Sequence, residues 1–223
     1  MEIKLEDDYN WYGWQTLYPR LHAEQIKRIE EGREPGLSAS LLELGNDFKV
    51  EDGKLIFKYK ELVPSLTLLY EICLKLNPKS IFEVGFGYCN NLVSIKKLLP
   101  NVSINGCDIA QAMYDAAKER YGDLLNNFNL KIGDFLLLDI NEKFDMVYSQ
   151  AVVMHLSTER AKESIKKMCE ISNKYVMILD GKLQIPDLKS FVSQFGKVTY
   201  FDEWAKKHWP KAVVPPFIIE VKK

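Results

Sequence analysis

From residue 80 to the end, short apolar runs alternate with longer stretches whose apolar residues recur at helical spacing. That succession of strand, helix and strand packs as a mainly parallel sheet. Strands are expected at SIFEV (80–84), SINGCD (103–108), NLKIG (129–133), FDMVYS (144–149) and YVMILD (175–180). Each is short and rich in apolar residues, as a strand covered on both faces must be. The intervening stretches 88–99, 110–121, 158–171 and 186–195 have helical periodicity, with Ser157 and Thr158 ahead of Glu159 marking one start.

Beyond the last of these helices the pattern becomes KVTYFDEW (197–204) and PFIIEVKK (216–223), joined by a loop holding Trp209, Pro210, Pro215 and Pro216. With no helix of sufficient length between them, the two runs are expected to pair as an antiparallel hairpin at one side of the sheet. The fold class is then α/β: a Rossmann-like mixed sheet of seven strands, the last antiparallel, with helices on both faces.

The amino-terminal part is patterned differently. Tyr9, Trp11, Tyr12, Trp14 and Tyr18 precede a charged helical stretch at 21–34, which Pro35 and Gly36 end. A second helical stretch (38–44) leads to FKVEDGKLIFKY (48–59), where Asp52-Gly53 between apolar runs signals a hairpin. Residues 64–76 form a further helix just ahead of the first strand of the sheet. The division expected is a helical cap or lid over 1–60 and a ligand-binding domain over 61–223.

Composition narrows the possibilities. With 223 residues, 47% of them hydrophobic and 27% charged, the chain can bury one sizeable core. Its 30 basic and 31 acidic residues nearly cancel, so no broad positive field draws it to nucleic acid. No apolar run approaches the roughly 18 residues that span a bilayer, and the acidic start lacks the pattern of a secretory signal. A cytoplasmic protein is expected. The four cysteines form no CxxC pair and the three histidines no HExxH-like spacing, so no metal site is indicated.

The chemistry concentrates in Ile81-Phe82-Glu83-Val84-Gly85-Phe86-Gly87-Tyr88-Cys89-Asn90-Asn91. A strand, a glycine turn and a helix follow one another, and glycines let backbone approach a ligand at the carboxyl end of the strand. A dinucleotide fingerprint would place a third glycine where Asn90 stands. Glu83, two residues before the first glycine, would repel a pyrophosphate but suits an ammonium or sulfonium group.

This segment resembles the first motif of the class I S-adenosylmethionine-dependent methyltransferases, an acid followed by Gly-x-Gly-x-Gly. Glu83, Gly85 and Gly87 match it, and Cys89 stands where the family usually has its third glycine. Asp108, closing the second strand, falls where the family's acid accepts the ribose hydroxyls. Asp134, after the third strand, falls where an acid meets the adenine amino group while its neighbour Phe135 packs on the ring. The resemblance, which covers roughly 80–223, implies an S-adenosylmethionine site formed by Glu83, Gly85, Phe86, Gly87, Asp108, Ile109, Met113, Asp134, Phe135, Ser149 and Gln150. The segment from Gln150 to Leu156 would lie beside the methionine moiety and the acceptor.

Weaker features have a plain structural account beside the functional one. His155, as a neutral imidazole, could take a proton from an acceptor hydroxyl or ammonium, and a histidine that opens a helix explains it equally well. Trp11, Tyr12, Tyr18 and Arg20 could close over the site and meet an acceptor, or simply anchor a segment on the core. The reading is an enzyme that moves a methyl group from S-adenosylmethionine to a small polar acceptor, a metabolite or sugar intermediate, with O- or N-methylation and oligomeric state open. A nucleotide-dependent oxidoreductase and a catalytically silent S-adenosylmethionine-binding protein are the alternatives.

Overall fold

In the computed structural model, residues 48–51, 54–57 and 64–222 are described. The expected helices at 21–34 and 38–44, and with them the cap and its aromatic residues, lie outside those residues. Strands β1 (Phe48–Glu51) and β2 (Lys54–Phe57) pair antiparallel, Phe48 opposite Phe57, as the Asp52-Gly53 signal anticipates.

Helix α1 (Pro64–Leu76) begins on a proline, whose fixed φ suits the first turn of a helix. It stops at Asn77, left-handed at φ 45° and followed by Pro78. Leu66, Leu69, Tyr70 and Cys73, at i, i+3, i+4 and i+7, are each no more than 1% exposed. This stripe seats α1 on the sheet, each large apolar side chain contributing roughly 1.5–3 kcal/mol.

The sheet has seven strands: β3 (Ser80–Val84), β4 (Ser103–Asp108), β5 (Asn129–Ile132), β6 (Phe144–Gln150), β7 (Ser172–Leu179), β8 (Gly196–Tyr200) and β9 (Phe217–Val221). Their order is β5-β4-β3-β6-β7-β9-β8, with β9 antiparallel to both its neighbours. Alternation along β3 shows why the sheet is covered twice. Ile81 packs in a core with α1, α2 (Asn90–Leu98) and α3 (Gln111–Tyr121). Phe82 and Val84 point into a second core, against α4 (Thr158–Glu170) and α5 (Leu188–Ser193).

The carboxyl-terminal end departs from expectation. The strand expected over 197–204 stops at Tyr200, and a short helix, α6 (Asp202–His208), follows. Its acids, Asp202 and Glu203, lie in the first turn and Lys206, Lys207 and His208 in the last, the arrangement that complements a helix dipole. The two runs do pair antiparallel, but β9 is inserted between β7 and β8 and leaves β8 at the edge.

Chain order reverses between β3 and β6, since β4 and β5 continue on one side and β7 on the other. The crevice at the carboxyl ends of β3 and β6 is the switch point where sheets of this kind take ligands.

Candidate active site

Beyond Val84 the backbone turns through Gly85 at φ 77° and Gly87 at φ 50°. A Cβ on Gly85 would stand 2.3 Å from Cγ2 of Val152, so only glycine lets the segment after β6 lie against this turn. Cys89, in the place of the family's third glycine, takes the same left-handed conformation at φ 59°. The turn is held around it: its N–H donates to the Phe86 carbonyl at 2.8 Å, and its own carbonyl accepts from Val93 N–H at 2.9 Å. Burial pushes the Cys89 thiol well above its ordinary pKa, so it is inert packing rather than a nucleophile.

Asp108 ties β4 to this turn. Its Oδ2 accepts from Gly87 N–H at 2.7 Å and its Oδ1 from Ala110 N–H at 2.8 Å, the latter at the start of α3. Burial raises its carboxyl to about 6, against the three backbone donors that lower it. Asp134 sits beyond β5, with Oδ1 accepting from Leu136 N–H at 3.0 Å and Oδ2 paired with Arg160 of α4 at 2.6 Å. Asp108, Ile109, Asp134, Phe135, Leu156 and Arg160 are among the residues lining one cleft of about 60 Å³ beside Gly85.

Glu83 is 1% exposed and lies behind the turn rather than in the open cleft. Its Oε1 accepts from Asn91 Nδ2 at 2.8 Å, while its buried Oε2 has no hydrogen-bond partner. Desolvation pushes the carboxyl up to about 8, in spite of Asn91 and the adjacent Tyr148, whose own buried hydroxyl lacks a well-formed hydrogen bond. Asn91 extends the network, accepting from the Tyr70 hydroxyl at 3.3 Å and donating to Gln150 Oε1 at 3.4 Å. An unsatisfied buried carboxylate oxygen is expensive unless a cation or donor arrives. The unpaired acceptor behind the glycine turn therefore fits a cationic ligand.

The other expected residues divide. Ile109 and Phe135 line the cleft, although Phe135 is also core, tilted on Phe82 at 6.1 Å between centroids. Met113 is buried, and its Cε would lie 3.5 Å from a Cβ on Gly87. Phe86 does not face the cleft: it packs in the first core against Tyr114. Ser149 is buried and donates to Asp180 Oδ2 at 3.1 Å. His155 is exposed and outside the cleft lining, with desolvation lowering its imidazole pKa. Trp11, Tyr12, Tyr18 and Arg20 fall outside the described residues. Among the described residues, no three His, Cys, Asp or Glu side chains gather as a cation site.

Asp180 is a residue the sequence pattern did not single out. It closes β7, is 1% exposed, and its Oδ1 accepts from Val152 N–H at 2.7 Å and Met154 N–H at 3.1 Å. Burial raises its carboxyl to about 6. The segment 151–154, with Ala151 at φ 56°, is thereby pinned over Gly85. The available signal was its position, an acid ending an apolar strand like Asp108.

Residues 81–174 match the family model described as a methyltransferase domain. Among curated proteins, the chain is 28% identical over 137 residues to the carboxy-S-adenosyl-L-methionine synthase of Campylobacter fetus, covering 59% of this chain and 56% of that protein. It is 30% identical over 125 residues to malonyl-[acyl-carrier protein] O-methyltransferase 1 of Ilyobacter polytropus, covering 55% and 40%. The chain thus spans about half the length of the curated relatives it matches. Among solved structures, magnesium protoporphyrin IX methyltransferase from Synechocystis superposes with a TM-score of 0.61 at 11% identity, over 96% of this chain and 98% of the other, a likeness of fold.

The sheet order and the likeness of fold define a Rossmann-like α/β domain, with the glycine turn and the strand-end acids at its switch point. Over residues 81–174 the chain is similar to the methyltransferase-domain family.

Proposed function

We propose that this chain binds S-adenosylmethionine in the crevice between β3 and β6 and transfers its methyl group to a small polar acceptor, a metabolite or sugar intermediate. The observation that carries the reading is the unpaired, buried Oε2 of Glu83 behind the Gly85–Gly87 turn. When bound, the cofactor supplies an electrophilic methyl on a sulfonium. Glu83 would balance the ammonium, Asp108 still has lone pairs for the ribose hydroxyls, and Asp134 with Phe135 would take the adenine. Gly85 and Gly87 let backbone approach the ligand, and Val152 over the turn excludes water.

Such a displacement asks of the protein alignment and dryness rather than a nucleophile. His155, whose lowered pKa favours the neutral imidazole at neutral pH, is the residue proposed to take the acceptor's proton. Closure by Trp11, Tyr12, Tyr18 and Arg20 is proposed on their aromatic density alone.

The test is binding followed by turnover. Purified protein should bind S-adenosylhomocysteine at low-micromolar Kd or tighter, about −8 kcal/mol. An acceptor screen read by mass spectrometry should then show S-adenosylhomocysteine formed with a methylated acceptor. A cofactor consumed without that product would point to chemistry on the cofactor itself, as the name of the Campylobacter relative describes for that protein. Absence of binding at millimolar concentration would end the proposal.

A further inference from the structure

The residue that stands out in the cleft is Arg160. It projects from the first turns of α4 into the same space as Asp108, Ile109, Asp134 and Phe135. Its Nη2 lies 2.6 Å from Asp134 Oδ2, and the two side chains are only 13% and 8% exposed. At this burial the pair is not one of the solvent-screened surface contacts of little consequence. A guanidinium has a planar, rigid fork, so it fixes the plane of the carboxylate it holds. Two residues beyond Asp134, the Leu136 N–H donates to its Oδ1 at 3.0 Å. Farther along α4, Lys167 Nζ donates to the carbonyls of Leu138 at 2.6 Å and Leu136 at 3.2 Å and lies over the Phe135 ring at 5.2 Å. Helix α4 thereby holds the whole 134–138 segment in one orientation from two points.

We propose that Arg160 is a positioning residue for base selection, holding the Asp134 carboxylate so that its free lone pairs meet the 6-amino group of a purine and repel a 6-oxo group. The inference rests on the cofactor reading above. A site built to accept from an amino group rejects the analogue that presents an oxygen there, because carboxylate and carbonyl are both acceptors and neither can be satisfied. A carboxylate free to swing away would lose that discrimination while keeping the ribose and amino-acid contacts.

The experiment compares S-adenosylhomocysteine with S-inosylhomocysteine, by calorimetry, in wild type, R160Q and R160K. Wild type should prefer the adenosyl ligand by about 100-fold, the order that one buried polar group left unsatisfied produces. In R160Q the preference should fall to within about 5-fold, chiefly through weaker adenosyl binding, as expected when one charge-assisted contact no longer orients its partner. R160K, which keeps a cation without the fork, should be intermediate. Both affinities are measured on one preparation, so their ratio is insensitive to partial loss of folded protein. Equal weakening of both ligands in R160Q, or an undiminished preference in R160K should R160Q not fold, overturns the inference. Failure of wild type to bind either ligand would instead overturn the cofactor reading.

Discussion

Glu83 is held inside the protein with one oxygen bonded to Asn91 and the other unpaired, and burial raises its carboxyl from 4.5 to about 8. The folded, unliganded protein therefore holds this proton more tightly than the unfolded chain does. The stabilisation is fully present below pH 4.5 and is lost as the pH rises through about 8. Asp108 and Asp180, each raised from 3.8 to about 6, act with the same sign in a lower window. Thermal melts of wild type should fall across the upper part of this range, and Glu83→Gln should flatten the fall between about 6 and 8 while leaving that below about 6, where Asp108 and Asp180 contribute. A wild-type slope unchanged by the substitution would show that Glu83 is ionised in the folded protein. Beside the ribose contact proposed for it, Asp108 holds two backbone N–H groups, which its place at a strand end did not suggest. Asp108→Ala removes the acceptor for Gly87 and Ala110 N–H, so it should cost about 1–3 kcal/mol of stability as well as cofactor affinity. Urea titration against ligand binding separates the two losses.

At the scale of elements, the glycine turn and the segment after β6 form one device. Gly85→Ala would drive a Cβ into Val152 and place alanine at φ 77°, where L side chains are strained. Gly85→Ala should therefore lower stability, and adding Val152→Ala should recover only part of the loss, because the clash is relieved and the backbone strain is not. Full recovery in the double variant, measured by denaturant midpoints, would assign the whole effect to packing. Strands β3, β4, β5 and β7 were legible in the sequence because their apolar runs end at or just before glycine or acidic residues, which also put Glu83, Asp108 and Asp134 at or beside successive strand ends. Helix α6 was not, because Tyr200 and Trp204 prolong an apolar rhythm past the strand, and only the sign order from Asp202 to His208 marks the change. The insertion of β9 beside β7 depends on pairing between distant residues, which no local pattern carries. Asn91 and Arg160 were illegible as site residues for the same reason, since each matters through a partner at least eight positions away, whereas Asp180 was marked only by its place at the end of an apolar strand.

For the molecule as a whole, the proposed site would link ligand, proton and folding through the Glu83 carboxyl. At pH 7 a Glu83 titrating near 8 is largely protonated in the unliganded protein. A cationic ligand needs the anion, so binding should expel a proton, and affinity should rise with pH up to about 8, by at most tenfold per unit. Above that value the rise should stop. At a ligand concentration of about 100 times Kd the folded state gains about 2.7 kcal/mol, which for a domain of this size raises the melting temperature by roughly 5–10 °C. That increment should be smaller at pH 6.5 than at pH 8, as expected for a site that must first lose a proton. The ligand's own ammonium also titrates, but it does so equally with wild type and Glu83→Gln. The difference between the two proteins therefore isolates the side chain. Calorimetry in two buffers of different ionisation enthalpy should give heats that diverge more for wild type than for Glu83→Gln. Equal divergence in both would mean that the carboxylate is already charged before the ligand arrives, and that its unpaired oxygen is satisfied by something other than the ligand.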